Sequence, residues 1–176
     1  PLPIPVRQLI PINATLPAVR PDQVVETLKP FGQFRTIKIK VAEPGQDLEQ
    51  DLARIAQAHK SYPDARLRLD ANGTYSVAQA MKIIRAIAHL PIEYFEQPVA
   101  TIDELVELRG QIATAEIQMK IAADESIRKQ SDPLQVAVAG AADIAVLKVQ
   151  PLGGIKRSLA IASESGLESV VSSALE

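Results

Sequence analysis

Short apolar runs of strand length recur along this chain with an amphipathic segment between each pair, and that alternation limits the fold more than any other feature. The runs are LIPINATL (9–16), TIKIKV (36–41), RLRLDA (66–71), IEYFEQ (92–97), QMKIAAD (118–124), DIAVLKV (143–149) and ESVVSSAL (168–175). Each is rich in Ile, Leu or Val and about the length of one strand. The segments between them carry helix signals. DLEQDLARIAQAHKSY puts Leu48, Leu52, Ile55 and His59 on one stripe. SVAQAMKIIRAIAHL opens with Ser76 and Gln79 in capping-box spacing, and TIDELVELRG repeats the device with Thr101 and Glu104. SDPLQVAVAG predicts a helix with Asp132 as N-cap, Pro133 at the first position and Gly140 as the stop. GIKRSLAIASESG also ends in Gly, and a shorter helix is expected over 22–30.

Strand and helix alternate about every 24–30 residues, the rhythm of a parallel sheet with right-handed crossovers. A doubly wound nucleotide-binding sheet would carry a Gly-rich turn after its first strand. Here Thr15 and Leu16 lead into PAVRPD, which has no glycine. The expected fold is therefore α/β, a TIM-like barrel of the (β/α)7β type, incomplete here, with seven strands and six helices. A chain of 176 residues that is 47% hydrophobic and 23% charged can build such a core.

Several function classes are excluded or disfavoured by composition. Net charge is −2 with no long run of one sign, so neither a nucleic-acid nor an anionic-membrane partner is expected. Cysteine is absent, which rules out disulfides, thiolate metal sites and Cys nucleophiles. That absence fits a reducing compartment, and a cytoplasmic location is expected. No apolar run reaches the roughly 20 residues of a membrane span. The start, PLPIPVRQLIP, has neither the pattern of a signal peptide nor an initiator Met, so the chain reads as processed or excised. Aromatics are 3% with no Trp, which argues against base- or sugar-stacking surfaces.

In a barrel of this kind chemistry gathers at the C-terminal ends of the strands. There the second run carries Lys38 and Lys40, the third Asp70 and Asn72, the fourth Glu96 and Gln97, the fifth Asp124 and Glu125, and the sixth Lys148. Singly each has an ordinary reading. Asp70 in DANG is a turn or cap residue, Glu96 a solvated loop residue, and Asp124 or Glu125 a helix cap. Lys148 is a snorkelling lysine, and Lys38 with Lys40 a wet strand face. Jointly they are harder to dismiss. Three carboxylates ending three consecutive strands repel one another, and a divalent cation removes that penalty. All-oxygen ligands suit Mg²⁺ or Mn²⁺.

The motifs KIK (38–40), RLDAN (68–72), EQP (96–98), ADES (123–126) and VLKVQPLGG (146–154) resemble the enolase superfamily, in its muconate-lactonising branch. Within it they look most like the o-succinylbenzoate synthase family, and PINATLPA (11–18) and VVSSALE (170–176) look like its first and seventh strands. The resemblance implies Asp70, Glu96 and Asp124 as Mg²⁺ ligands, Lys40 as catalytic base and Lys148 as the lysine on the opposite face of the substrate. Lys38, about 6.6–7 Å along the same strand face, would disfavour the proton on Lys40. Arg68 shares the inward parity of Asp70 and reads first as a structural ion-pair partner. Asn72 and Glu125, with Arg68 as the alternative to its ion-pair reading, are candidate substrate or supporting residues.

The implied reaction is Mg²⁺-dependent dehydration of a small cyclohexadiene carboxylate to 2-succinylbenzoate in menaquinone biosynthesis. By the same resemblance, residues 1–176 are expected to be a partial barrel domain, without the N-terminal capping domain and the eighth strand. Two rival readings stand beside this one. A racemase or epimerase of the same superfamily would need the same two lysines. An inactive barrel fragment acting as an interaction module would have exposed apolar edges that favour self-association.

Overall fold

The computed structural model describes residues 8–173. The first seven residues of PLPIPVRQLIP and the last three of VVSSALE lie outside the described residues. Seven strands form one sheet: β1 Ala14–Leu16, β2 Thr36–Lys40, β3 Arg66–Asp70, β4 Ile92–Glu96, β5 Ile121–Ala123, β6 Ile144–Lys148 and β7 Glu168–Ser172. Every neighbouring pair is parallel, and the spatial order is the chain order. A doubly wound sheet reverses its strand order at a switch point. This sheet does not reverse, and it curls as part of a barrel.

The connecting helices are α1 Val24–Leu28, α2 Leu48–Ser61, α3 Val77–Ile87, α4 Ile102–Thr114, α5 Glu125–Arg128, α6 Gln135–Val138 and α7 Ile155–Ser165. The capping boxes of α3 (Ser76, Gln79) and α4 (Thr101, Glu104) form as the sequence predicts, and Asp47 with Gln50 makes a third on α2. Gly166 closes α7 in the left-handed conformation. No helix among the described residues is long and apolar enough to cross a membrane.

Period-two alternation divides the sheet residues between two environments. Ile37, Ile39, Leu67, Leu69, Phe95, Ile121, Ala145 and Leu147 join the main core with the helices. The opposite parity faces the inside of the curl. There Tyr94, Ala122, Ile144 and Val146 form a small second cluster. On β2, β3 and β4 the same inner face carries Lys38, Lys40, Arg68, Asp70 and Glu96 instead. Lys40 pairs in register with Asp70, and Asp70 with Glu96, after a register shift at Leu67 and Arg68. The last residues of three strands thus stand side by side at one rim.

Some boundaries differ from the sequence expectation. β1 is three residues rather than eight, because Pro11 and Pro17 flank it and cannot donate to a ladder. β5 holds only Ile121–Ala123 of the expected 118–124. Asp132 does not cap a helix starting at Pro133. Its side chain accepts from the Leu134 N–H at 3.0 Å in an Asx turn, and α6 begins at Gln135. The four-residue α5 between β5 and that turn carries no sequence signal of its own, and with it there are seven α-helices among the described residues where six helices are expected from the sequence. Gly140 does stop α6, with φ of 63°.

Gly73 and Gly140 both adopt the left-handed conformation, but their surroundings differ. A Cβ on Gly73 would sit 3.2 Å from the Ala100 Cα, whereas one on Gly140 meets open space. Gly140→Ala is expected to cost about 1–2 kcal/mol for the backbone alone. Gly73→Ala is expected to cost more, because the β3–α3 loop must also move off Ala100. Urea denaturation of the two variants in the full-length protein checks the order, and equal midpoints would contradict it.

Candidate active site

Lys38 is buried at 8% exposure, between two acids. Its Nζ lies 2.8 Å from Glu96 Oε1 and 2.9 Å from Asp70 Oδ2. Lys40, two residues along the same face, places Nζ 2.7 Å from the same Asp70 oxygen and donates to Asn72 Oδ1 at 2.9 Å. One carboxylate oxygen therefore takes two ammonium groups. Burial pushes the Asp70 carboxyl up, but Lys38 and Lys40 outweigh it and hold it below the usual range. Burial and then the Asp70 charge push Glu96 up to about 7, with Lys38 only partly opposing. Burial alone would lower Lys38, yet the Glu96 and Asp70 carboxylates raise it above an ordinary lysine.

A second group of charges lies across the rim. Lys148 Nζ is 2.9 Å from Asp124 Oδ2, and Arg128 Nε is 3.1 Å from Asp124 Oδ1. Arg128 also reaches Glu125 Oε1 at 2.7 Å. Burial pushes the Asp124 carboxyl above its ordinary value. Asn72 joins the two groups, donating to Glu125 Oε1 at 3.4 Å while it accepts from Lys40. Asp124 stands at the N-cap position of α5 but makes no side-chain cap hydrogen bond. Its carboxylate is committed to the rim.

Gln97 links the ends of β4 and β5. It is fully buried and has φ of 36°, a strained value for a side chain this size. Its side-chain Oε1 accepts from the Asp124 and Ser126 N–H groups at 3.0 and 3.1 Å. Its amide donates to Val99 O and Ser126 Oγ at 2.9 and 2.7 Å.

The structure thus gathers Lys38, Lys40, Asp70, Asn72 and Glu96 in one cluster and Asp124, Glu125 and Lys148 in an adjoining one. Arg68 lies one layer deeper, as the ion-pair partner expected of it: Nε is 2.6 Å from Glu93 Oε2, and the guanidinium stacks 5.0 Å from the Tyr94 ring. It lines a cavity of about 850 Å³ shared with Arg66, Glu93, Lys120 and Glu168 near the opposite strand ends. The wet-face reading of Lys38 and Lys40 fails, since both ammonium groups pair with Asp70. Lys38, expected to act on Lys40 through its charge, is itself ion-paired with Glu96 and Asp70. Sequence reasoning missed Arg128, whose only signal is its placement three and four residues after Glu125 and Asp124.

Among the described residues no three His or acidic side chains lie close enough together to hold a metal ion. Lys38 instead bridges Asp70 and Glu96, while Lys148 and Arg128 flank Asp124. The donor chemistry nonetheless fits a hard divalent cation. Three buried carboxylates end adjacent strands, two of them are pushed above their ordinary pKa by burial, and Glu125 Oε2 is buried with no hydrogen-bond partner.

Residues 22–165 match the family described as enolase C-terminal domain-like. The chain belongs to that family. It is 51% identical over its full length to an o-succinylbenzoate synthase of Mycolicibacterium smegmatis, of which it covers 53%. A mandelate racemase/muconate lactonizing enzyme from Roseiflexus sp. superposes with a TM-score of 0.78 at 29% identity, over 95% of this chain and 49% of that one. A dipeptide epimerase from Enterococcus faecalis, solved with Mg and the dipeptide L-Leu-L-Tyr, superposes with a TM-score of 0.77 at 31% identity, over 93% and 46%. The chain spans about half the length of the curated relatives it matches. Its sequential parallel sheet is the enolase-type barrel sheet in part.

Removing one member of a buried ion cluster leaves the others uncompensated. Lys38→Met is expected to destabilise the metal-free full-length protein by about 3–5 kcal/mol. Adding Glu96→Gln should recover part of that loss, because one stranded charge is gone. A double-mutant cycle by chemical denaturation measures it. Strictly additive effects would mean that the Lys38–Glu96 contact carries no coupling.

Proposed function

We propose that the protein carrying this chain is an o-succinylbenzoate synthase, a cytoplasmic hydro-lyase of menaquinone biosynthesis. It would dehydrate 2-succinyl-6-hydroxy-2,4-cyclohexadiene-1-carboxylate to 2-succinylbenzoate. The observation that carries this reading is the placement of two lysines, at the ends of β2 and β6, on either side of three buried strand-end carboxylates. The relatives of that name, at about half identity over the whole chain, supply the substrate. On this reading, residues 1–176 are the part of the barrel domain that bears the lysine and cation positions.

Asp70, Glu96 and Asp124 would hold Mg²⁺ or Mn²⁺, which when bound supplies positive charge to the substrate carboxylate. Lys40, in its neutral amine form, takes the proton from the carbon α to that carboxylate at Nζ, and the electron pair is delocalised into the carboxylate as an enediolate. The ring C–O bond then breaks on the same face. Lys40 returns its proton to the leaving hydroxide, so water departs and the ring becomes aromatic. Asn72 holds the Lys40 amine in place through its side-chain oxygen. Lys148 stays charged on the other face and stabilises the negative intermediate.

The same two lysines support a second reading, an N-succinylamino acid racemase or epimerase, in which each takes or gives the α-proton on its own face. The dipeptide epimerase likeness favours keeping it in view. Both readings lose their footing if the lysines are dispensable. Lys40→Ala and Lys148→Ala in the full-length protein are each expected to lower kcat by about 10²–10⁴-fold. Absorbance of the aromatic product follows the dehydration, and loss of optical rotation of an N-succinylamino acid follows racemisation. Wild-type dehydration without racemisation selects the synthase. Retained activity in Lys40→Ala would contradict the proposal.

A further inference from the structure

Behind the rim, on the helix side of β2, a salt bridge is buried where the candidate chemistry does not use it. Arg54 and Asp51, both on α2, are each 1% exposed, and Arg54 Nη1 lies 2.7 Å from Asp51 Oδ1. The arms of this pair reach the end of β2 and the loops that follow β1, β2 and β3. Arg54 Nη1 also donates to the Lys40 carbonyl at 2.9 Å, and Nε donates to the Val19 carbonyl at 2.7 Å. Nη2 donates to Gln46 Oε1. Asp51 Oδ2 accepts from the Ala42 N–H at 2.9 Å and from the Tyr75 hydroxyl.

The pair thus grips β2 on both sides of its last turn, at the carbonyl of residue 40 and the N–H of residue 42. At the second of these the chain leaves the strand, with Ala42 at φ of 61°, a left-handed conformation that a non-glycine residue holds only under external constraint. Tyr75 extends the grip to the loop after β3, which also carries Asn72, and its ring packs edge-on against Phe95. A buried ion pair is a poor source of stability compared with apolar packing. Its worth here lies in the single backbone geometry that its directed hydrogen bonds define.

We propose that Arg54 and Asp51, with Tyr75 as an outer member, are positioning residues that fix the Lys40 backbone, and so the reach of its amine, at the rim. The proposal rests on the reading of Lys40 as the base. Displacing a catalytic group by about 1 Å can cost on the order of 10²-fold. The loss should fall on proton transfer and not on substrate binding.

Arg54→Lys in the full-length protein is the test. Lysine keeps the charge opposite Asp51 but has one nitrogen, and cannot serve Val19, Lys40 and Gln46 together. We expect kcat to fall by about tenfold or more with KM within about twofold of wild type. The isotope effect with substrate deuterated α to the carboxylate should rise toward its full value. A folded Arg54→Lys enzyme with unchanged kcat and isotope effect would overturn the proposal, as would kcat and KM that change together. Should that variant fail to fold, Tyr75→Phe decides. It removes one hydroxyl contact to Asp51 and keeps the ring packing, so the same split at smaller size supports the grip, and unchanged kinetics overturns it. Activity retained in Lys40→Ala would instead sink the base assignment on which the proposal stands.

Discussion

The structure depends on how three carboxylates are kept buried at the ends of adjacent parallel strands. Asp70, Glu96 and Asp124 are at most 1% exposed. Charges so placed are costly unless opposite charge lies against them. The chain supplies it from its own lysines: Lys38 and Lys40 converge on one Asp70 oxygen, Lys38 reaches on to Glu96, and Lys148 meets Asp124. The compensation is uneven. Asp70 is held below its ordinary range, while burial raises Glu96 and Asp124 above theirs. Three buried acids beside three lysines thus differ in how far burial or pairing sets their acidity.

The fold makes this concentration of charge possible. Because strand order is chain order and all strands are parallel, every C-terminal strand end falls on one rim. Period-two alternation then sends one set of side chains to the helices, where Ile37, Ile39, Leu67, Leu69 and Phe95 build the core, and leaves the other set for the inner face. Stability and chemistry are thereby separated within single strands. β2 shows it in five residues, with Ile37 and Ile39 fully buried among helices and Lys38 and Lys40 turned to the acids.

Much of this is legible in the sequence, because its signals are local. The strand runs, the capping boxes of α3 and α4, and the parity that aligns Lys38, Lys40, Asp70 and Glu96 are all matters of spacing. Features that depend on partners distant in sequence, or on paired charge, escape such a reading. The stripe of Leu48, Leu52, Ile55 and His59 locates α2 but misplaces the centre of its buried face. That face holds Asp51, Arg54, Ile55 and Ala58, and charged residues that satisfy each other leave no mark on an apolar pattern. Asp132 has the residue type of an N-cap, yet its local Asx turn wins over the helix start. The role of Gln97 is equally hidden, since its partners Asp124 and Ser126 lie on the next strand end.

The proposed function rests on Asp70, Glu96 and Asp124 together holding one divalent cation, at a rim where Lys38 and Lys148 pair with these acids. Mn²⁺ binding to the full-length protein, titrated by electron paramagnetic resonance without substrate, tests it most directly. The account predicts a single site, weakened on the order of tenfold or more by each of Asp70→Asn, Glu96→Gln and Asp124→Asn, since each removes one charged oxygen donor. A wild-type protein that binds no Mn²⁺, or an affinity indifferent to all three substitutions, would contradict it.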